Sequence, residues 1–223
     1  DRHVYPGANH RRVPKGTSSS VKVSAAILAA GSSSRFEDGH KLLAEIDGKP
    51  IVRIVCKTLA ASDASEILLV TSEASGLVAK AAGNGRWRIV ENQTAYDGLS
   101  TSLRIAVQNI AADADGLLVA LADMPGITTP LVDAVISAFA ESRSSIVFPV
   151  STDGRRGHPI LWPKSLFADL MNVSGDTGGK AILAEHRSLW RPIACASDGA
   201  FADIDTRTDL AAFRAGNQDT RRK

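Results

Sequence analysis

Aromatic side chains make up only 5% of this 223-residue chain. A core built from it must rely on Ala, Val, Leu and Ile, which favours a parallel sheet covered by helices over a β-sandwich. Cysteine is almost absent. Cys56 and Cys195 stand far apart, which excludes a disulfide scaffold and a zinc site, and both read as small core hydrophobes with reduced thiols. No apolar run approaches a membrane span and the N-terminal stretch carries no apolar signal core. A cytoplasmic protein with no membrane partner is expected. No Ser-His-Asp or Cys-His arrangement suggests a nucleophile, and no second histidine lies at ligand spacing from His158.

A strong charge of either sign is also missing. The formal net charge is +2, divided as +3 in residues 1–20, +3 in residues 214–223 and −4 between them. Such short basic ends without interleaved aromatics are solvated tails rather than a nucleic-acid surface, so nucleic acid is not an expected partner. Residues 1–20 have no periodicity and read as a disordered leader or tag remnant. Residues 216–223 read as a basic flexible tail, leaving one domain over residues 21–215.

Hydrophobic residues account for 44% of the chain, enough for a substantial core. From Val21 onward strand-like and helix-like segments alternate. Strands are expected at Val21–Leu28, Glu66–Thr71, Trp87–Glu91, Gly116–Leu121, Ile146–Val150, His158–Trp162 and Trp190–Ala196. Helices are expected at Pro50–Ala60, Ser75–Ala82, Leu99–Asn109, Pro130–Ser142, Lys164–Met171, Gly179–Glu185 and Thr206–Ala215. This is the pattern of a doubly wound α/β sheet with right-handed crossovers, in which ligands bind beyond the carboxyl ends of the strands.

Three strand ends carry unusual chemistry. The first strand opens into Leu28-Ala29-Ala30-Gly31-Ser32-Ser33-Ser34-Arg35, with Lys41-Leu42-Leu43 shortly after. Small side chains let backbone N–H groups approach phosphate oxygens, and Arg35 and Lys41 can neutralise the charge the amides cannot. The loop is neither a Walker loop nor the dinucleotide Gly-x-Gly-x-x-Gly. The second end is Ala122-Asp123-Met124-Pro125. A carboxylate where a buried strand emerges needs a partner. Asp123 is either a magnesium ligand, since Mg²⁺ takes one or two carboxylates with phosphate oxygens, or a turn aspartate. The third is Asp203-Ile204-Asp205-Thr206. If extended, its carboxylates point to opposite sides, so that one faces a shared metal while the other caps the helix starting near Thr206.

Further candidates lie on loops. Asp176, in Gly175-Asp176-Thr177-Gly178-Gly179-Lys180, either caps a helix or belongs to an acceptor-binding lid. Gly154-Arg155-Arg156-Gly157-His158-Pro159 is basic and either contacts a phosphorylated acceptor or is a solvated loop. Ser100 and Ser102 follow Tyr96-Asp97-Gly98 at a helix start, where they contact a base or ribose or simply cap the helix.

Taken together, these motifs resemble a family. The segment from Val23 to about Phe213 is similar to the nucleotidyltransferases related to the molybdenum cofactor enzymes, particularly those of the cytidylyltransferase type. The shared features are Leu-Ala-Ala-Gly-x-Ser-x-Arg (28–35), Lys41-Leu42-Leu43, Gly48-Lys49-Pro50-Ile51, Gly98 with Ser102-Leu103, Ala122-Asp123-Met124-Pro125, Gly157-His158-Pro159, Gly175-Asp176-Thr177-Gly178 and Asp203-Ile204-Asp205-Thr206. The resemblance implies a Rossmann-like, three-layer α/β nucleotidyltransferase fold with a mostly parallel, mixed sheet. It implies that Leu28, Ala29, Ala30, Gly31, Ser32, Arg35 and Lys41 hold the nucleotide, with Ser102 touching it, and that Arg35 and Lys41 act in catalysis. It further implies Mg²⁺ on Asp123 and Asp205, an acceptor near Arg156, His158 and Asp176, and transfer of CMP from CTP to the phosphate of a molybdopterin-type cofactor. A molybdoenzyme or its maturation factor would be the partner. Two alternatives stay open: a same-fold transferase using GTP or another phosphorylated acceptor, and a non-catalytic pterin carrier. The Ala-Ala-Gly form of the loop resembles cytidylyl-transferring members, whereas guanylyl-transferring ones usually show Ala-Gly-Gly. One departure stands out: the family usually has Met-Gly after the loop arginine, where this chain has Phe36-Glu37-Asp38-Gly39-His40.

Overall fold

The computed structural model describes residues 20–31, 36, 39–72, 76–175 and 179–221, with the side chains of 217–221 excepted. Arg35, Ser32 and Asp176 lie outside the described residues, as does almost all of the leader segment.

The first strand, β1 (Val23–Leu28), is buried at every position, because it runs through the middle of a sheet covered on both sides. Ala25 and Ile27 join one apolar layer and Ala26 and Leu28 the other, the alternation a pleated strand imposes. Its neighbours are β4 (Glu66–Ser72) and β6 (Gly116–Leu121), both parallel to it. β5 (Arg88–Asn92) forms one edge beside β4. On the other side β8 (Ile160–Pro163) runs antiparallel between β6 and β7 (Ile146–Val150), and β9 (Trp190–Ala194) closes the edge parallel to β7. The seven-stranded order is β5-β4-β1-β6-β8-β7-β9, with β8 alone reversed.

Helices fill both faces. α1 (Ile51–Ala60), α2 (Gly76–Ala82), α4 (Thr129–Glu141) and α7 (Arg207–Arg221) cover the first apolar layer through residues such as Leu59, Val78, Phe139 and Leu210. α3 (Leu99–Asn109), α5 (Phe167–Met171) and α6 (Lys180–Glu185) cover the second through Leu103, Leu170 and Leu183. The expected three-layer α/β architecture with a mostly parallel sheet is thus the observed one.

The differences from expectation have local causes. A small hairpin, β2 (Glu45–Ile46) and β3 (Lys49–Pro50), precedes α1. Its strands are too short to show a period, although Asp47 (φ 52°) and Gly48 (φ 71°) make the Asp-Gly turn such hairpins favour. The Lys164–Met171 segment starts as a 3₁₀ turn, Lys164–Leu166, before becoming α5. Helix α7 continues to Arg221, past the position where a flexible tail was expected. It does so because no proline follows and a lone Gly216 costs a helix only about 1 kcal/mol. Cys56 is buried, and burial pushes its thiol up to about 12. Cys195 is only half-buried, in the loop after β9, so it is not the core residue the composition suggested.

Candidate functional site

The carboxyl ends of β1 and β6 lie side by side, pinned by the Ala122 N–H donating to the Leu28 carbonyl at 3.0 Å. On the other flank Ala29 N–H donates to the Val70 carbonyl at 2.8 Å. These bonds hold the opening of the small-residue loop, Leu28-Ala29-Ala30, buried against the sheet, while Gly31 is exposed. Farther along, Lys41–Leu43 forms a single 3₁₀ turn. Leu42, 3% exposed, anchors it in the core, and the His40 Nδ1 accepts from the Leu42 N–H at 3.3 Å. A neutral His40 suits that role, and burial, followed by the Lys41 charge, holds its pKa below the usual value.

Lys41 is thereby presented to the end of β6. Its Nζ donates to Asp123 Oδ2 at 2.5 Å and to Asp205 Oδ1 at 2.6 Å. Burial opposes the charge on Lys41, but the two carboxylates outweigh it and its pKa is raised. The other Asp123 oxygen, Oδ1, is buried without a hydrogen-bond partner among the described residues. Asp203 joins the group: one oxygen each from Asp123, Asp203 and Asp205 lies within 4.8 Å of the others. The expectation that Asp203 and Asp205 point to opposite sides therefore fails. Residues 202–205 are irregular rather than a strand, so the two-residue period does not apply to them.

The final helix is closed by a residue of its own first turn. Asp209 Oδ2 accepts from the backbone N–H of Asp205 at 3.1 Å and of Thr206 at 2.7 Å, and the Thr206 hydroxyl accepts from the Asp209 N–H at 3.2 Å. This reciprocal box closes the helix start from within, and one oxygen of each upstream carboxylate lies in the cluster. The segment carrying them is locked onto the β6 loop. Ile204 N–H donates to the Asp123 carbonyl at 2.9 Å. A side chain at Gly126 would place its Cβ 2.5 Å from Gly199 Cα, so the backbones meet where only glycine fits.

His158 closes another side. Its Nδ1 lies 3.3 Å from the Val119 carbonyl, which can only accept, so Nδ1 carries the proton and Nε2 is the free lone pair of the neutral ring. Its backbone N–H donates to the Ala200 carbonyl at 2.9 Å. Burial is the main influence on its pKa, which is lowered. The Val119 bond and the charges of Asp123 and Asp203 oppose the shift, and Lys180 adds to it. Arg156 behaves differently: its guanidinium stacks over Trp190 at 5.1 Å, and no ion pair joins it to the acidic cluster among the described residues.

The expected base contact, Ser102, is 3% exposed and accepts from Asn92 Nδ2 at 2.9 Å. The same amide donates to Thr101 Oγ1 at 2.8 Å, and Asn92 Oδ1 accepts from Thr94. Ser102 is thus part of a clamp between the end of β5 and the start of α3. Among the described residues, a buried hydroxyl left there without a hydrogen-bond partner is that of Ser100, 1% exposed. Sequence reasoning missed Asn92, which is an ordinary strand-end residue by pattern. It also missed Arg207, whose guanidinium stacks on Phe36 at 5.4 Å and so brings the start of α7 against the loop before Lys41. The unusual Phe36 was the signal.

An α/β sheet with a small-residue loop, a lysine and clustered aspartates at its strand ends is an architecture for handling nucleotides and a cation. Comparison with known proteins defines the class. Residues 25–189 match the model of the MobA-like NTP transferase domain, and the chain belongs to that family of nucleotidyltransferases. Its relatives are diverse. It is 29% identical to the nicotine blue oxidoreductase of Paenarthrobacter nicotinovorans, over 82% of this chain and 92% of that protein. It is 32% identical to the 3-deoxy-manno-octulosonate cytidylyltransferase of Geotalea daltonii, over 82% and 69%, and 31% identical to the molybdenum cofactor guanylyltransferase of Rhodopseudomonas palustris, over 66% and 69%. The crystal structure of Rv0371c from Mycobacterium tuberculosis superposes with a TM-score of 0.76 at 21% identity, covering 88% of this chain and all of that one, a likeness of fold.

Proposed function

We propose that this chain is a magnesium-dependent cytidylyltransferase that moves CMP from CTP to the terminal phosphate of a molybdopterin-type acceptor, releasing pyrophosphate in the cytoplasm. The observation that carries it is the junction of Lys41 with Asp123 and Asp205, beside Asp203, at the mouth of a nucleotidyltransferase loop. The donor set fits the ion. Three carboxylates make an all-oxygen site suited to a hard divalent cation, and the orphaned Asp123 Oδ1 is a buried acceptor that such an ion would satisfy. Asp123 and Asp205 would hold it, with Asp203 adjacent, and the ion would neutralise charge on the triphosphate.

The chain's own residues perform the rest. The N–H groups of Ala30 and Gly31 open the cradle for the triphosphate. A Cβ at Gly31 would meet no described atom within 4 Å, so no packing contact demands glycine there, whereas a closely approaching phosphate would. Lys41, and Arg35 outside the described residues, neutralise the β- and γ-phosphates as pyrophosphate leaves, and Ser32, also outside them, offers a hydroxyl donor. An acceptor phosphate is already ionised and needs no strong base, so positioning and charge neutralisation supply the catalysis. His158, neutral and with Nε2 unprotonated, faces the acceptor side beside Lys180; Arg156 and Asp176 remain acceptor contacts in this proposal. Buried Ala29 and Ala30 narrow the wall behind the base, which favours a pyrimidine. The relatives named as cytidylyl and guanylyl transferases support the reaction class, and the motif resemblance supports the pterin acceptor and a molybdoenzyme partner.

The test is pyrophosphate release on mixing the protein with CTP, UTP, GTP or ATP, Mg²⁺, and molybdopterin, sugar-phosphate or polyol-phosphate acceptors. Turnover with CTP and the pterin alone supports the proposal. Turnover with GTP or another acceptor moves the reading within the family. Tight pterin binding without pyrophosphate makes the protein a carrier. A parallel arm with reduced nicotinamide and a dye tests the redox activity in one relative's name.

A further inference from the structure

The ammonium of Lys41 sits between Asp123 Oδ2 and Asp205 Oδ1, at 2.5 and 2.6 Å, bridging the two carboxylates that would hold a divalent cation. We propose that Lys41 is a tethered stand-in cation: it holds the two carboxylates together in the free protein, and metal enters only as Lys41 leaves for a phosphate. This rests on the reading of the site as a nucleotide–metal centre.

The two cations compete for the same two carboxylates. A small divalent ion needs carboxylate oxygens at about 2.1 Å, and an ammonium hydrogen-bonded to both carboxylates crowds that approach and opposes it by like charge. The lysine arm is able to move while its base is not. Leu42 and the Leu43 N–H bond to the His40 carbonyl at 2.9 Å fix the turn, whereas the side chain above it has four rotatable bonds. Its alternative anionic partner is the triphosphate, whose cradle opens at Gly31. A triphosphate that draws Lys41 away exposes the carboxylates, and by reciprocity a bound metal frees Lys41 for the triphosphate. Nucleotide and metal binding are then positively linked through one side chain. Without its tethered cation, the pair would meet at a cost of like-charge repulsion between Asp123 and Asp205.

The test uses Mn²⁺ without nucleotide, its binding read by electron paramagnetic resonance of the free ion. Lys41→Met should bind Mn²⁺ about tenfold or more tighter than wild type, within the usual range of site coupling, and Lys41→Arg, which keeps a cation, should resemble wild type. Lys41→Met with Asp123→Asn should lose the gain. A second measurement needs no variant: in the wild-type protein, acetylation of Lys41 followed by mass spectrometry should speed up on adding Mn²⁺, with Lys80 as internal reference. Equal Mn²⁺ affinity in wild type and Lys41→Met, abolished by Asp123→Asn, overturns the stand-in role while leaving the metal site in place. No Mn²⁺ binding in any form overturns both. Unchanged or slower acetylation of Lys41 under saturating Mn²⁺ overturns the stand-in role independently.

Discussion

Replacing Asp123 by Asn should abolish turnover and hardly change stability, and the structure gives the reason. The Lys41–Asp123 ion pair is 2.5 Å long, with side chains 13% and 16% exposed. At an effective dielectric of about 20 its attraction is roughly 6–7 kcal/mol. Asp205 opposes it, with a carboxylate oxygen within 4.8 Å and a repulsion of at least ~3.5 kcal/mol on the same scale. Asp203 is exposed, so screening reduces its share below that. The desolvation of a largely buried carboxylate, several kcal/mol, disappears in the amide variant. Gain and loss nearly cancel, and Lys41 keeps Asp205 as a partner. The melting temperature should therefore change by less than ~4 °C, about 1 kcal/mol for a chain of this size. Breaking an ordinary buried pair would instead cost about 3–5 kcal/mol. Pyrophosphate release should fall by roughly a thousandfold or more, because a preorganised charge on the cation is lost. Calorimetry and the pyrophosphate assay on the same preparation check both halves. A drop above 10 °C would show a structural ion pair, and near-wild-type turnover at saturating Mg²⁺ would remove Asp123 from the metal site.

Lys41→Ala should slow turnover far more than Lys80→Ala, since Lys80 is an exposed residue of α2 and such positions matter by about 0.5 kcal/mol or less; equal kinetic effects would contradict the cradle. Gly126→Ala drives a Cβ to 2.5 Å from Gly199 Cα and should cost about 1–3 kcal/mol by overpacking, with a larger loss of activity because Asp203 and Asp205 follow Gly199 in the chain. Chemical denaturation beside kinetics tests this, and a variant with both parameters unchanged would refute the locking contact. Below pH 6.5 the unfolded chain protonates its histidines while folded His40 and His158, with lowered pKa values, resist. Stability should thus be full above that pH and fall as pH drops toward the folded values. A thermal series from pH 8 to 5.5 should show a shallower decline in His158→Asn than in wild type; identical slopes would contradict a ring held neutral in the folded protein. In steady-state kinetics kcat/KM should be higher for CTP than for GTP or ATP, and a clear GTP preference would overturn the cytidylyl assignment.

What the sequence could disclose followed the range of its signals. The sheet was legible because β6 is an unbroken apolar run, β1 is apolar but for Ser24, and the helices between them carry a clear period, so Gly116–Leu121 and Leu99–Asn109 could be bounded to the residue. Asp123 stood out because a carboxylate at the end of such a run must have a reason. Residues 202–205 did not yield to the same logic. Their conformation is set by the Asp209–Thr206 cap behind them and the Asp123 carbonyl beside them, contacts spanning 3 and 81 residues, and no alternation rule applies to irregular backbone. Ser102 misled for a related reason: a serine at a helix start reads alike whether it faces a ligand or an asparagine ten residues earlier, and only the fold supplies Asn92. Lys41 is the instructive case. Its position after the loop marked it as a phosphate ligand, yet in the free protein it faces the aspartates. A mobile cation near two anionic partners has no single address in sequence, and its place depends on which anion is present. A site that must admit a highly charged substrate and its counter-ion together therefore benefits from a residue that can serve either, and that residue is where sequence and static structure are expected to differ.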